Sequence, residues 1–470
     1  MFSKPPLQLP CGSICQSEIF NEWQDFFDQN KKIKTIDLIF YDLSGQMRGK
    51  TIPAYEWQKC VKGQVMIPGS SLVLDHQGAA LNRIEEGFKD GDPDHFCWPV
   101  KGSLIHFSPG KACALVSIFD AQKPIFCDGY GMVMRLLERL KASGLYVQIA
   151  IELEFYLLDM KSVYDGKVEL AHTPDTRCVP KNCQVYHIET LSDYDQFFDG
   201  FRQFMSKQSI DIGALTKEYG PNQFEINLNH SSDVLSVIRD AILFKHCLRM
   251  HARKHGWLAS FAAKPLEDYA GSGLHIHCSI WDQKGKNLGV KTNDKTKQHC
   301  ISDLLRYAIG GLQATIDPSM VIFASDMNAY RRLQPGSYAP INKAWGYNNR
   351  AVSLRIPAGN PKATRIEHRV AAANANLFLA VASLLSGIHY GVNHKLDPGL
   401  PTQGIDFESS TQDIITNWWD AIAAWHKFEP WIDYFGQRFH DRFWHINRHN
   451  LDLFINETRG CDTKLYFPYF

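Results

Sequence analysis

The chain has 470 residues, 44% apolar and 21% charged, a balance that suits a globular protein with a large buried core and room for two or three domains. Lysine plus arginine equals aspartate plus glutamate at 50 each, so no overall field recruits a nucleic acid or a membrane surface. Electrostatic function must rest on local clusters.

The opening residues, MFSKPPLQLPCGSICQ, lack the apolar core that a signal peptide needs. Cysteines are scattered without a CxxC pair; Cys11/Cys15 and Cys178/Cys183 are the nearest neighbours. Reduced thiols in a cytoplasm are expected, in preference to a disulfide framework or a zinc site. Short strands and turns are predicted over the first hundred or so residues. Ile36 to Phe40 is an apolar run that ends at the turn-like Ser44-Gly45, and Gly87 to Gly102 is loop-rich. The segment Gly45 to Thr51 looks like a phosphate-binding loop, but it is one spacer residue short and has Ser44 where the first glycine belongs. Pro124 to Gly129 marks the passage to a larger region, giving one domain over 1–120 and a second over 121–470.

A helix follows at once, with Met132, Val133, Leu136, Leu137 and Leu140 on one face and Gly144 as its stop. Further helices are predicted at Asp193–Ser206, Asp233–Lys254, Ile301–Ala314, Asn374–Gly391 and Thr411–Lys427. The most hydrophobic stretch, Val370 to Val392, holds Asn374, Asn376, Ser383, Ser386 and His389, so a buried helix is expected there and not a membrane span.

The strands between these helices carry the chemistry. Successive strand residues point to opposite faces. In IAIELEFYL, Glu152 and Glu154 share a face. Gln223, Glu225, Asn227 and Asn229 do so in NQFEINLN, and His275, His277 and Ser279 in GLHIHCSI. Ser353 and Arg355 pair up in VSLRIP, as do Arg365, Glu367 and Arg369 in TRIEHRV. Ordinary half-exposed strands alternate in the same way. A solvated face normally includes lysine, however, and these faces have none, which favours a lined cavity.

Glu152, Glu154, Glu218, Glu225 and Glu367 with His275 form a set of hard oxygen donors plus one imidazole, suited to Mg²⁺ or Mn²⁺. Carboxylates drawn together repel unless cations lie between them; two or three divalent ions would offset that and leave room for phosphate oxygens. Arg332, Arg350, Arg355, Arg365 and Arg369 add planar forks that recognise carboxylate and phosphate. Metals with several arginines are the equipment of phosphoryl transfer.

The segments YDLSGQMRGK, IELEFYLLD, KEYGPNQFEIN, AGSGLHIHCS, NAYRRLQPGSYAP, NNRAVSLRIP and KATRIEHR, in this order, resemble the glutamine synthetase family over nearly the whole chain. The resemblance implies an α+β fold: a small β-grasp N-terminal domain, then a catalytic domain around a curved antiparallel half-barrel sheet backed by helices. It implies a homo-oligomeric ring, commonly a dodecamer of two stacked hexamers, in which a neighbour's N-terminal domain completes each site. Glutamate, an amine and ATP are the implied substrates, joined through a γ-glutamyl phosphate.

By the same resemblance, Glu154, Glu218 and Glu225 hold one metal, and Glu152, His275 and Glu367 a second. His277, Ser279, Arg350 and Lys362 match nucleotide-contacting positions. Gly271, Arg332 and Arg369 match positions that hold the substrate glutamate. Arg350 and Arg355 match the arginines that stabilise the transferring phosphate, and Asp42 the carboxylate that helps deprotonate the attacking nitrogen.

The flap of the ammonia-using enzymes carries the pattern N-x-Y-K-R-L-x-P-G-Y-E-A-P, and this sequence departs from the family there and beside the substrate glutamate. Tyr338 replaces the glutamate of the pattern, and Ala270 stands where an asparagine is usual. A neutral phenol attracts a small cation poorly but offers an aromatic face to an alkylammonium. With AWGYNNR and KEYGPNQFEIN, this looks like the subgroup that couples glutamate to polyamines. Glutamine synthetase proper is the alternative expectation. A catalytically inactive structural member is a third, opposed by competent residues at all six metal positions.

Overall fold

The computed structural model describes residues 16–81, 89–121, 123–174, 176–291, 301–404 and 413–457. Seven strands build a small sheet: β1 (Thr35–Tyr41), β2 (Met47–Pro53), β3 (Met66–Pro68), β4 (Asp94–Pro99), β5 (Ile105–Ser108), β6 (Lys111–Asp120) and β7 (Lys123–Pro124). Their order is β2-β1-β6-β4-β3, with β5 and β7 also on β6. Parallel pairing of β1 with β6 beside the antiparallel β1–β2 hairpin gives the β-grasp arrangement. The hairpin turns at Asp42 to Gln46, where Gly45 takes φ 76°, a left-handed conformation that suits glycine. The stretch resembling a phosphate loop is therefore turn and strand β2.

Two helices in this region went unforeseen. Gln16–Gln29 buries Ile19 and Trp23 on one helical face, and Trp57–Val61 buries Cys60 and Val61. The loop-rich stretch also contains β4, because His95 to Pro99 finds partners on two sides, in β3 and β6.

The helix Gly129–Ala142 opens the larger region, capped by Asp128, whose side chain accepts from Gly131 N. Eight strands form the second sheet: β8 (Tyr146–Asp159), β9 (Ile212–Lys217), β10 (Gln223–Ser231), β11 (Trp257–Ser260), β12 (Leu274–Trp281), β13 (Trp345–Tyr347), β14 (Leu354–Ile356) and β15 (Ile366–His368). The order is β13-β14-β15-β12-β8-β10-β9, with β11 on the far half of β8. It is a curled half-barrel backed by helices. Along β8, Val147, Ile149, Ile151, Leu153 and Phe155 are buried, whereas Gln148, Ala150, Glu152 and Glu154 are half-buried. The helix Val234–Arg253 packs over the apolar face at β8, β10 and β11. Phe155, Phe198, Phe224, Phe244 and Phe261 close that core ring against ring.

The predicted helices appear with shifted ends. Ile301–Ala314 becomes Asp303–Phe323, which runs through Pro318. It packs against Leu377–His394 so closely that a Cβ on Gly311 would lie 2.2 Å from the Gly387 carbonyl. That second helix is almost wholly buried, as its composition required. Asp193–Ser206 begins at Asp195, after a separate short turn of helix at Ile188–Ser192. Thr411–Lys427 is helical only from Trp418, where Asn417 caps it by accepting from Asp420 N; residues 411 and 412 lie outside the described residues. Cys178 and Cys183 are exposed thiols, and the other six described cysteines are buried. Cys11 and Cys15 lie outside the described residues. Among the described residues, no helix is long and apolar enough to cross a membrane.

Candidate active site

Antiparallel register assembles the site on the polar face of the second sheet. Glu154 on β8 stands opposite Glu225 on β10, and Glu152 stands between Asn227 on β10 and His275 on β12. His277 lies opposite Glu367 on β15, which lies opposite Arg355 on β14. The alternation read in five separate segments thus converges on one surface.

Each carboxylate has its own surroundings. Glu367 is 1% exposed and clamped by two arginines: Arg369 Nη1 donates to Oε1 at 2.5 Å and Arg355 Nη1 to Oε2 at 2.7 Å. Burial works to raise its pKa, but Arg369, with His275, His277 and Arg355, holds it down to about 2. Glu152 is half-buried, which works to raise its pKa, yet His275 Nδ1 at 3.3 Å and His277 Nε2 at 2.9 Å pull its carboxyl well below the usual range. Asn227 Nδ2 donates to it at 3.1 Å. Glu154 accepts from Gly273 N at 2.7 Å.

Glu225 and Glu218 go the other way. Burial first, and then the charges of Glu152, Glu154, Glu218 and Glu367, push Glu225 up to about 9. Burial and Glu154 push Glu218 up to about 7, against the opposing pull of Lys217 and Arg350. Burial and crowding thus oppose the ionisation of both carboxyls, and the crowding is a condition that a divalent cation would relieve.

The donors fit such cations. Glu152, His277 and Glu367 present ligand atoms within 4.8 Å of one another, and so do Glu152, Glu225 and His275. His277 Nε2 and Glu152 Oε1 lie 2.9 Å apart. Ligands at right angles on one cation, each with a bond of about 2.1 Å, take such a spacing. These groupings cut across the division that the family resemblance implies. The physical reason is local: Glu154 is drawn to the Gly273 amide, and His277 joins the cluster because β12 points it, like His275, at Glu152.

Around the cluster lie the other expected residues. A cleft of about 480 Å³ beside Glu152 is lined by His277, Ser279 and Lys362 together with Trp281, Asn360 and Arg365. Ser279 Oγ accepts from Trp281 Nε1 at 2.7 Å. Arg350 is exposed and acts on Glu218, away from the residues lining that cleft. Arg332 is buried at the end of the helix Met327–Arg332, donating to Val370 O at 3.0 Å and Arg369 O at 3.4 Å. Gly271 approaches it so closely that a Cβ there would lie 2.7 Å from Arg332 Cγ. Tyr338 is 64% exposed in the turn beyond.

Asp42 is not brought to the glutamates. Its side chain accepts from Arg48 Nε and Gln46 N, each at 2.8 Å, and its backbone carbonyl accepts from Asn376 Nδ2. Burial raises its pKa to about 6 although Arg48 opposes this.

Two side chains carry more than their sequence position suggested. Arg365 Nε donates to His277 Nδ1 at 3.0 Å. Gln223 Nε2 donates to Gly271 O at 2.9 Å and Glu154 Oε2 at 3.4 Å, while its Oε1 accepts from Gly220 N and the Tyr156 hydroxyl. That amide ties one glutamate, the Glu218 turn and the Gly271 loop together. Strand alternation put both residues on the right face; only the folded chain supplied their partners.

A half-barrel sheet with a carboxylate-rich cluster beside a cleft and an arginine set has the equipment of nucleotide-dependent group transfer. Residues 128–466 match the glutamine synthetase catalytic domain, and the chain belongs to the glutamine synthetase family. It is a carbon–nitrogen ligase of the class that joins glutamate to an amine with ATP. The chain is 32% identical over 430 residues to gamma-glutamylputrescine synthetase PuuA of Escherichia coli (strain K12), covering 90% of this chain and 89% of that protein. It is 29% identical over 395 residues to a glutamate–isopropylamine ligase of a Pseudomonas species, covering 83% and 84%. Glutamine synthetases of Pyrococcus species are also relatives. A solved GmaS/ADP complex shares the fold, with a TM-score of 0.80 at 21% identity over 94% of this chain and 99% of that one.

Proposed function

We propose that this enzyme couples the γ-carboxylate of glutamate to an alkylamine, a diamine such as putrescine in preference to ammonia. The observation that carries the reading is Tyr338. It occupies the flap position where the ammonia-using pattern has a glutamate, so the flap presents a large aromatic surface without a charge. An ammonium ion gains little from it, whereas a methylene chain gains apolar contact and the cation a π face. Relatives named for putrescine and isopropylamine support the same direction.

The reaction has two steps. A glutamate carboxylate oxygen attacks the γ-phosphorus of ATP, the bond to ADP breaks, and γ-glutamyl phosphate forms. The neutral amine nitrogen then adds to the γ-carbonyl carbon, phosphate departs, and the nitrogen loses a proton. Arg332, Arg369 and the close-fitting Gly271 hold glutamate; His277, Ser279, Lys362 and Arg350 hold the nucleotide. Arg350 and Arg355 meet the charge that builds on the transferring phosphate. Glu152, Glu154, Glu218, Glu225, His275 and Glu367 would hold two or three Mg²⁺ or Mn²⁺ ions, which when bound supply charge neutralisation for phosphate and carboxylate. Asp42 serves the amine step as proton acceptor, from an adjoining copy in a homo-oligomeric ring.

Phosphate release from ATP with glutamate, measured in parallel with ammonium, methylamine, ethanolamine, putrescine and spermidine, tests this. Putrescine or spermidine is expected to give the highest kcat/KM. Ammonium ahead by a wide margin overturns the proposal in favour of glutamine synthesis. No phosphate release with any amine identifies a structural member of the family.

A further inference from the structure

Lys217, the last residue of β9, breaks the pattern of its neighbours. It stands opposite Phe224, on the face of the sheet away from Thr216 and Glu225, and only 2% of it is exposed. Its ammonium lies 5.9 Å from the centre of the Phe224 ring. An ammonium in such a place is costly unless its donors are taken, and methionine would fill the apolar space beside Phe224 without that cost.

What methionine could not supply is on the page. Lys217 Nζ donates to Glu218 O at 2.6 Å and to Gly220 O at 2.6 Å, the two carbonyls that flank Tyr219 in the turn between β9 and β10. Charge-assisted bonds of this length hold geometry firmly. The rest of the turn is fixed from elsewhere. Gly220 N donates to Gln223 Oε1 at 2.8 Å. Asn222, in the left-handed region at φ 54°, donates to Ala171 O and accepts from the Tyr194 hydroxyl. Lys217 grips the carbonyl of Glu218 itself, the one glutamate of the cluster that lies outside the named strands, where its own N–H donates to Gln223 O at 2.9 Å.

We infer that Lys217 is a positioning residue for Glu218: from behind the sheet, its ammonium tethers the turn so that the Glu218 carboxylate is aimed at the cation centre. The inference rests on Glu218 being a cation ligand. It has a distinctive sign. A fixed positive charge near a cation site weakens cation binding by repulsion, so deleting it should tighten binding if charge were its only effect. A tether does the reverse.

The test is direct Mn²⁺ binding to the nucleotide-free, full-length protein, followed by the free-ion electron paramagnetic resonance signal. Wild type, Lys217→Met and Glu218→Ala are compared, with folding checked by circular dichroism. Lys217→Met is expected to weaken at least one Mn²⁺ site by about tenfold or more, the range seen when a residue behind a ligand is lost. Binding that is unchanged or tighter in Lys217→Met, while Glu218→Ala loses a site, overturns the inference alone. Wild-type binding in Glu218→Ala overturns the ligand assignment on which it rests. If Lys217→Met does not fold, Lys217→Gln is read by the same criteria.

Discussion

Glu225 and Glu154 stand directly opposite each other on neighbouring antiparallel strands, both on the polar face of the sheet. Like charges so placed destabilise a sheet, and here burial and three more glutamates compound the effect until Glu225 is pushed up to about 9. A cation held at this cluster would bind the folded chain and not the unfolded one. Mn²⁺ at about a hundred times its Kd is therefore expected to add roughly 2.7 kcal/mol of stability, read as a rise in melting temperature that EDTA reverses. Glu225→Ala should lose most of that rise and the metal-dependent activity with it. A variant that retains both removes Glu225 from the cation site.

The Glu367 clamp makes a second prediction. Removing Arg369 leaves a carboxylate that is 1% exposed with only Arg355 as its guanidinium partner. Arg369→Ala should cost about 3 kcal/mol in urea unfolding, the scale for breaking a buried pair, and should raise the KM for glutamate. A loss below about 0.5 kcal/mol, the scale of a surface substitution, would show that the pair does not stabilise the strand.

The Tyr338 side chain is mostly in solvent, so changing it carries little folding cost, within about 0.5 kcal/mol. Tyr338→Glu restores a negative charge to the flap. The ratio of kcat/KM for ammonium to that for putrescine should rise about tenfold, or ~1.4 kcal/mol in relative transition-state stabilisation. An unmoved ratio means that the flap does not choose the amine.

Asp42 has a pKa raised by burial to about 6. As proton acceptor it must be ionised, and it is mainly ionised above that value, so the amine-dependent rate should climb as pH rises through about 6. Asp42→Asn should remove this limb and slow the amine step by about 10²-fold or more, with the first, phosphoryl-transfer step largely spared. Identical profiles in the two proteins would exclude Asp42 from the proton transfer.

Strand alternation alone put Glu152 with Glu154, Gln223 with Glu225, and His275 with His277 on shared faces, because side chains in a strand repeat with a period of two residues. The same periodicity foresaw the apolar backing of β8, and the composition of Val370 to Val392 foresaw the buried helix that lies at Leu377–His394. Tertiary structure decided the rest, since register is a relation between strands and no single segment contains it. It set Glu154 against Glu225, turned His277 toward Glu152, and stood Arg355 beside Glu367. It also held Asp42 in its own hairpin, on Arg48. Glu218 could be named as a ligand but not placed, because it lies on a turn whose shape depends on Lys217, Gln223 and Asn222. Residue type and strand alternation mark the side chains that could bind cations. The fold decides which of them come within reach of one another, because the separation of two carboxylates depends on how distant strands pair.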